Sequence, residues 1–411
     1  MSRYPPTPAP LWRLLYITIA VTATQIPQVP PTIIISNSAP CKLKTTNGVD
    51  LSEGLAPSKS LSLSFAPSTS TLRAYMIFID FDDASAASGG DTATTRELYD
   101  YLIPDAADWY ASSSFGKLTL EVSADFSRVY RMPRRSDSYR FVRRISRADH
   151  CRYIMDALAA VGSRISFAGT NVLYIVPTRN AVNIPFSPIY MDAVTAGDGT
   201  EVGHSVTFGM DLYDKWGYKV PNHKTGHAMG LPDLYSYSGG SITRWVGGYD
   251  LMGLISGGSP DFLAWHKWKL GWFSDDQFDC VDKYSSTTTT TIHTIAPVEL
   301  DAGIKGMVVR VNETTAVVAE VRSKNGLNRN AFETGVLIYT LDISIGSGYG
   351  CIVVQGANPG SDDGCNFGEP NHAPFTHDGN NTFTSEEMGV TVTVIGQDGD
   401  KHTIEVEVEV D

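Results

Sequence analysis

The sequence predicts an α+β region followed by a β-rich, sandwich-like C-terminal region, and three observations carry that expectation. Between residues 71 and 283, short apolar runs of strand type are interleaved with segments whose apolar positions recur at helical spacing. Beyond about Asp282 the helical spacing gives way to short alternating runs divided by Gly, Asn and Asp turns. With 411 residues, 42% of them hydrophobic, the chain is long enough for a large core and two domains.

The organisation read along the chain is a signal segment over 1–23, a Pro/Ser-rich leader over 24–70, a first domain over 71–283 and a β-rich domain over 284–411. Arg3 and Arg13 precede the apolar stretch "LLYITIAV", and Val21-Thr22-Ala23 supplies small residues for cleavage, which is the order of a secretory signal. The expected location is therefore extracellular. No run approaches the ~18 apolar residues of a membrane span. In the first domain "LRAYMIFIDFDD" reads as a buried strand. "TATTRELYDYLIPDAADWYASSSFG" reads as a Thr-capped helical segment interrupted near Pro104. "KLTLEVSADF" alternates like a half-buried strand, and "TNVLYIVP" adds another. In the second domain "GMVVRV", "TAVVAEV", "GVLIYTLDI", "CIVVQG", "VTVTVIG" and "HTIEVEVEV" alternate as strands.

A formal charge of −13 excludes nucleic acid as a general partner, because phosphate binding needs a basic surface. The nine arginines between Arg128 and Arg152 read as the solvated face of a helix around "SYRFVRRISRADHCRYIMDALAAV". Five cysteines leave at least one unpaired in a monomer. Cys351 and Cys365 flank the turn-rich "NPGSDDG" and are the preferred disulfide, with two buried free thiols as the alternative. Asn312 ("NET") and Asn380 ("NNT") are sequons open to glycosylation in an exported chain. Acidic clusters such as "GSDDG" and "IDFDD" read as solvated turns or strand ends, so calcium is not assigned. No sequence feature bears on oligomeric state.

The chemistry concentrates in "NHKTGHAMGLPDLY", residues 222 to 235. His223 and His227, four apart on a helix, project from one face and reach a single metal. Gly230 suits a sharp exit from that helix, since glycine accepts left-handed backbone. Asp233 then returns a carboxylate as third ligand. Two imidazoles and a carboxylate leave the fourth tetrahedral position open, as in a catalytic zinc site.

"HKTGHAMGLPDLY" resembles the zinc motif of the secreted immune inhibitor A-like metallopeptidases, a metzincin-type family with the pattern H-E-x-G-H-x-x-G-L-P-D-x-Y. "GGYDLMG" is similar to that family's methionine turn and "SPDFLAWHKWKLGW" to the segment after it. "MIFIDFDD", "WYASSSFGKLTLEV" and "GVLIYTLDI" resemble further family segments in the expected order, so that the resemblance covers most of residues 72 to 345. It implies a metzincin-like zinc peptidase domain, one Zn2+ on His223, His227 and Asp233, Met252 as an apolar floor beneath the ion, and a protein or peptide as substrate or ligand.

One position departs from the pattern: Lys224 stands where the family carries its general-base glutamate. A protonated lysine has no lone pair for the attacking water's proton, and losing general-base catalysis costs about 10²- to 10⁴-fold. An ammonium about 5 Å from a doubly charged ion is repelled by roughly 6–7 kcal/mol at an effective dielectric of ~20. Three responses are open: the lysine swings outward, the metal binds weakly, or the amine loses its proton. Impaired peptidase activity is expected, with an inactive peptide-binding pseudopeptidase as the alternative. Pro221 also leads to the expectation that the ligand helix starts near that residue, which would leave His223 in a first turn prone to fraying.

Overall fold

Parallel strands that run as continuous apolar stretches need cover on both faces, and this requirement organises the first half of the chain. The computed structural model describes residues 41–44, 65–86, 94–283, 288–358 and 369–409. The expected signal segment, most of the leader and Cys365 lie outside the described residues. The architecture is mixed α/β, with several sheets and few helices.

In chain order the first sheet and its helices comprise β1 (Ser70–Asp80), α1 (Thr95–Asp100), α2 (Ile103–Ser113), β2 (Leu118–Ala124), β3 (Tyr130–Arg131), α3 (Arg147–Val161), β4 (Val172–Pro177), β5 (Ile189–Tyr190), the small hairpin β6 (Val194–Thr195) and β7 (Glu201–Val202), and β8 (His204–Thr207). The sheet order is β2-β1-β4-β8-β5, with β3 extending the β1 edge. All its pairings are parallel except β5 with β8. Alternation along β1 sends Met76 and Phe78 to one apolar cluster and Ile77 and Ile79 to another. α3 covers the second cluster through Tyr153, Ile154, Ala157, Leu158 and Val161.

The helical segment interrupted at Pro104 is two helices. Thr94 caps α1 in a reciprocal capping box with Glu97, and Pro104 sits in the first turn of α2, where no amide hydrogen is needed. The arginine-rich helix is shorter than expected. Arg140 and Arg144 adopt φ of 51° and 65°, which a right-handed helix excludes, and Ser146 caps α3 by accepting from Asp149 N at 3.1 Å. Several of these arginines meet acids, as in Arg131–Asp80 at 2.7 Å and Arg147–Asp192 at 2.6 Å.

α4 (Lys219–Ala228) and α5 (Ala264–Lys269) join α2 on the first face of the sheet. The rest of the chain is β9 (Phe278–Asp282), β10 (Thr289–Ile295), β11 (Gly306–Arg310), β12 (Thr315–Arg322), β13 (Gly335–Asp342), β14 (Ile352–Gln355), β15 (Thr382–Ser385), β16 (Val390–Asp398) and β17 (Lys401–Val408). They form a five-stranded sheet, β14-β13-β12-β11-β9, and a four-stranded sheet, β10-β17-β16-β15. β12 shows how the layers share cores. Ala316 and Val318 pack with the helices, whereas Val317, Ala319 and Val321 join Val392, Val394, Ile404 and Val406 of the four-stranded sheet. The first of these cores runs without a break across the expected boundary at 283/284. Among the described residues no helix is long and apolar enough to cross a membrane.

The disulfide differs from the expected pair. Cys41 is bonded to Cys280 of β9, and Cys351 is a free, buried thiol that burial pushes up to about 12. Cys41 and Leu43 are buried in the helix-side core, which brings two cysteines 239 residues apart to a Cα separation of 5.8 Å. No spacing rule reaches across such a distance. Asn312 lies exposed in the β11–β12 turn, where its Oδ1 accepts from the amides of Thr314 and Thr315. Asn380 is also on an exposed turn, but its Nδ2 donates to Ala357 O and Asn358 Oδ1.

Non-reducing peptide mapping is expected to link Cys41 to Cys280 and to leave Cys151 and Cys351 alkylatable after denaturation. Replacing Cys41 and Cys280 together by serine should lower stability by about 2–4 kcal/mol, read from denaturant unfolding.

Candidate metal centre

α4 carries the two histidines, and its placement begins with what precedes it. A π-helical turn over Leu212–Trp216 ends at Gly217, whose φ of 50° reverses the chain into the helix. α4 starts at Lys219, two residues before Pro221, so the proline occupies the first turn and removes no intrahelical hydrogen bond. His223 thus lies in the second turn, not in the fraying first turn expected from the sequence. Every residue from Val220 to Ala228 is buried. Tyr110 of α2 donates to Asn222 O at 2.7 Å, and the hydroxyls of Tyr174 of β4 and Thr225 lie 2.6 Å apart. These contacts hold the helix against α2 and the sheet from both sides of His223.

Gly230 ends the segment with φ of 99°, the left-handed exit its position called for. The chain then turns back and places Asp233 opposite the histidines. Candidate ligand atoms of His223, His227 and Asp233 all lie within 4.8 Å of one another, and all three residues are buried. Asp233 Oδ1 is 2.9 Å from His223 Nε2 and 3.2 Å from His227 Nε2.

The far nitrogens decide what these near ones are. His223 Nδ1 lies 2.9 Å from Leu251 O, and His227 Nδ1 lies 2.8 Å from Leu231 O. A carbonyl only accepts, so each Nδ1 bears the proton. Burial first, and then the Lys224 ammonium, depress the His223 imidazole below its usual range, so its Nε2 carries a lone pair near neutral pH. Burial acts to raise Asp233, but the facing imidazoles outweigh it and hold the carboxyl well below the usual range. Among the described residues His227 Nε2 has no hydrogen-bond partner, although it lies 3.2 Å from Asp233 Oδ1. Two imidazole nitrogens and an ionised oxygen therefore face one another in a buried site. A cation between them satisfies all three, and the residues fit a bound metal ion.

Met252 packs against the helix that carries the histidines. Its side chain is fully buried, and a Cβ built on Gly226 would meet its sulfur at 2.8 Å. Gly226, between the two histidines, is thus the residue that lets Met252 close against the helix. Sequence reading passed over it although "KTGH" displays it. Asp250 fixes the same turn: its carboxylate accepts from Met252 N at 2.7 Å, Leu263 N at 2.8 Å and His266 Nδ1 at 2.8 Å. Leu251, whose carbonyl orients His223, sits between Asp250 and Met252.

Asp233 is held from a distant segment. Its amide donates to Ser347 Oγ at 2.8 Å, its carbonyl accepts from Gly348 N at 2.8 Å, and Tyr237 OH donates to Oδ2. Ser347 and Gly348 follow β13, more than a hundred residues away, and no local pattern announces them. Tyr235 stacks at a tilt against His223 with centroids 6.2 Å apart, and Tyr249 is buried elsewhere in the core.

Beside the triad lies a cleft of about 190 Å³, lined in part by His223, Lys224, Asp211, Ser187, Trp216 and Tyr235. Lys224 has not swung outward: it is 8% exposed. Asp211 is a second carboxylate that sequence reading missed. Burial raises it, and hydrogen bonds from Ser187 with the charge of Lys224 only partly offset that rise.

No protein-family model and no curated protein sequence matches this chain.

Asp250→Asn would set an amide –NH2 against donors that now bond to oxygen. The expected result is about 1–3 kcal/mol lower stability and about 10- to 100-fold weaker metal binding, read by thermal unfolding and competition with a chelating dye. Gly226→Ala gains about 1 kcal/mol of helix propensity but meets about 1–3 kcal/mol of overpacking against Met252. A net loss of melting temperature, relieved by Met252→Ala in the double variant, is the expected outcome.

Proposed function

We propose that the chain is an exported zinc metallopeptidase-like protein of the immune inhibitor A kind, metzincin-like in its first part and sandwich-like in its last, with an impaired hydrolytic step. One observation carries the reading: two imidazole Nε2 atoms and a carboxylate oxygen, all buried, face one another beside a cleft. The resemblance of the surrounding segments supplies the peptidase class. The Met252 floor against Gly226, the Cys41–Cys280 disulfide and the apolar core common to the last two sheets are in keeping with a metzincin-like, exported protein with a sandwich.

His223, His227 and Asp233 would hold the ion, and two imidazoles with one carboxylate suit zinc. Zinc, when bound, supplies Lewis acidity toward water and a scissile carbonyl. The chain's own residues then govern the proton. In the general-base position Lys224 presents an ammonium, which donates and does not accept. Asp211, the other carboxylate of the cleft, has both oxygens committed to Ser187, at 3.0 Å from its amide and 2.6 Å from its hydroxyl. Proton removal is thus the step that fails.

A second reading is favoured by Lys224 itself. Its side chain is buried in the cleft rather than expelled from it, which suits a pseudopeptidase that grips peptide without cutting.

Purified protein should hold one zinc per chain, lost in His223→Ala and His227→Ala. Casein hydrolysis should rise about 10²- to 10⁴-fold in Lys224→Glu. Equal hydrolysis by wild type and Lys224→Glu would overturn the impairment, and absence of zinc from both would overturn the ligand set.

A further inference from the structure

We propose that the cleft beside the triad selects a ligand carboxylate, carried by a peptide, and that the Lys224 ammonium is the group that recognises it. The proposal rests on the reading of this cleft as a peptide-binding cleft and adds what chemistry it prefers.

The starting point is an unsatisfied charge. Lys224 is more than nine-tenths buried, it lines the cleft, and among the described residues its ammonium makes no hydrogen bond and no ion pair within 4.0 Å. Its stem is buried while the ammonium opens into the cleft, and an anion at contact distance there gains a charge-assisted hydrogen bond that no protein group among the described residues provides. Among the described residues the charged neighbours do not supply that anion. Asp211 acts on Lys224 only at longer range, because its oxygens are turned to Ser187, whose hydroxyl in turn accepts from Gly209 N at 2.9 Å. Asp233 is turned to the two histidines and Tyr237. Arg143 stands exposed at the rim and adds positive charge. The remaining demand is for one negative group delivered from outside.

The geometry narrows that group to a carboxylate. A phosphate dianion would bring two charges into a cleft that already holds the Asp211 carboxylate, whereas a carboxylate brings one. The cleft walls include Phe186, Trp216, Val220 and Ile255, which suit the apolar body of a peptide while its charged end reaches Lys224. Two parts of a peptide offer such a group: its free C-terminus and an acidic side chain.

Isothermal titration of the full chain with three peptides tests this. They are acetyl-Ala-Ala-Phe with a free C-terminus, its C-terminal amide, and acetyl-Ala-Glu-Phe amide. The free acid or the glutamyl amide should bind about tenfold or more tightly than the uncharged amide, as a charge-assisted hydrogen bond implies. Whichever of the two binds tightly identifies the source of the carboxylate. Lys224→Gln should abolish the preference and Lys224→Arg should keep it. Equal binding of all three peptides to a zinc-loaded wild type overturns the carboxylate assignment and leaves the metallopeptidase-like reading standing. A preference that survives Lys224→Gln overturns the role of Lys224. Protein that holds no zinc and binds none of the peptides overturns both the assignment and the reading beneath it.

Discussion

The candidate site depends on two hydrogen bonds that lie behind it. Leu231 and Leu251 present main-chain carbonyls to the Nδ1 atoms of His227 and His223, and carbonyls accept only. That choice turns the Nε2 atoms toward Asp233 and makes the pocket between them electron-rich. Neither leucine contributes through its side chain, so the constraint is one of backbone position. Everything that fixes residues 231 and 251 is thereby part of the site.

Position 231 follows from the exit of α4, where Gly230 takes the left-handed conformation and Leu231 N returns to Gly226 O at 3.0 Å. Position 251 is held from further out. Asp250 bonds the turn and also His266 and the start of α5, and α5 is anchored by a residue of the five-stranded sheet. Glu320 of β12 accepts from Ala264 N at 2.7 Å and from Tyr339 OH at 2.7 Å, with Arg322 at 2.6 Å as its ion-pair partner. A buried acid at a helix start is favourable both as acceptor and by the helix dipole. The β-rich half of the chain therefore reaches the histidines through a continuous path of hydrogen bonds, and the loop after β13 reaches Asp233 directly.

Lys224 is the one element that this arrangement does not absorb. Its helix neighbours include the candidate ligands His223 and His227 and the Gly226 that packs against Met252, whereas among the described residues its charge has no contact partner in the cleft. A glutamate there would have added negative charge beside the triad; lysine reverses the sign. A lysine at this position offers no proton acceptor while protonated and places positive charge in the cleft.

Much of this was legible in the sequence. His223 and His227 at helical spacing, Gly230 as the exit and Asp233 beyond it are local relations, and local backbone geometry alone brings them together. The strands around Met76, Leu120, Ile175 and Val318 were equally plain, because burial imposes its own period on apolar residues. What lay beyond the sequence was every relation between distant segments. The Cys41–Cys280 bond, the hold of Ser347 on Asp233, the approach of Asp211 to Lys224 and the contact of Met252 with Gly226 join residues 13 to 239 positions apart. The start of α3 was misjudged for another reason, since apolar spacing continued past Arg140 and Arg144 into backbone that is left-handed. By itself the sequence singled out which residues could ligate and showed that a lysine stands between them. Only the tertiary structure decided which way the imidazoles face and that the lysine stays buried, because both depend on carbonyls and walls supplied from elsewhere in the chain.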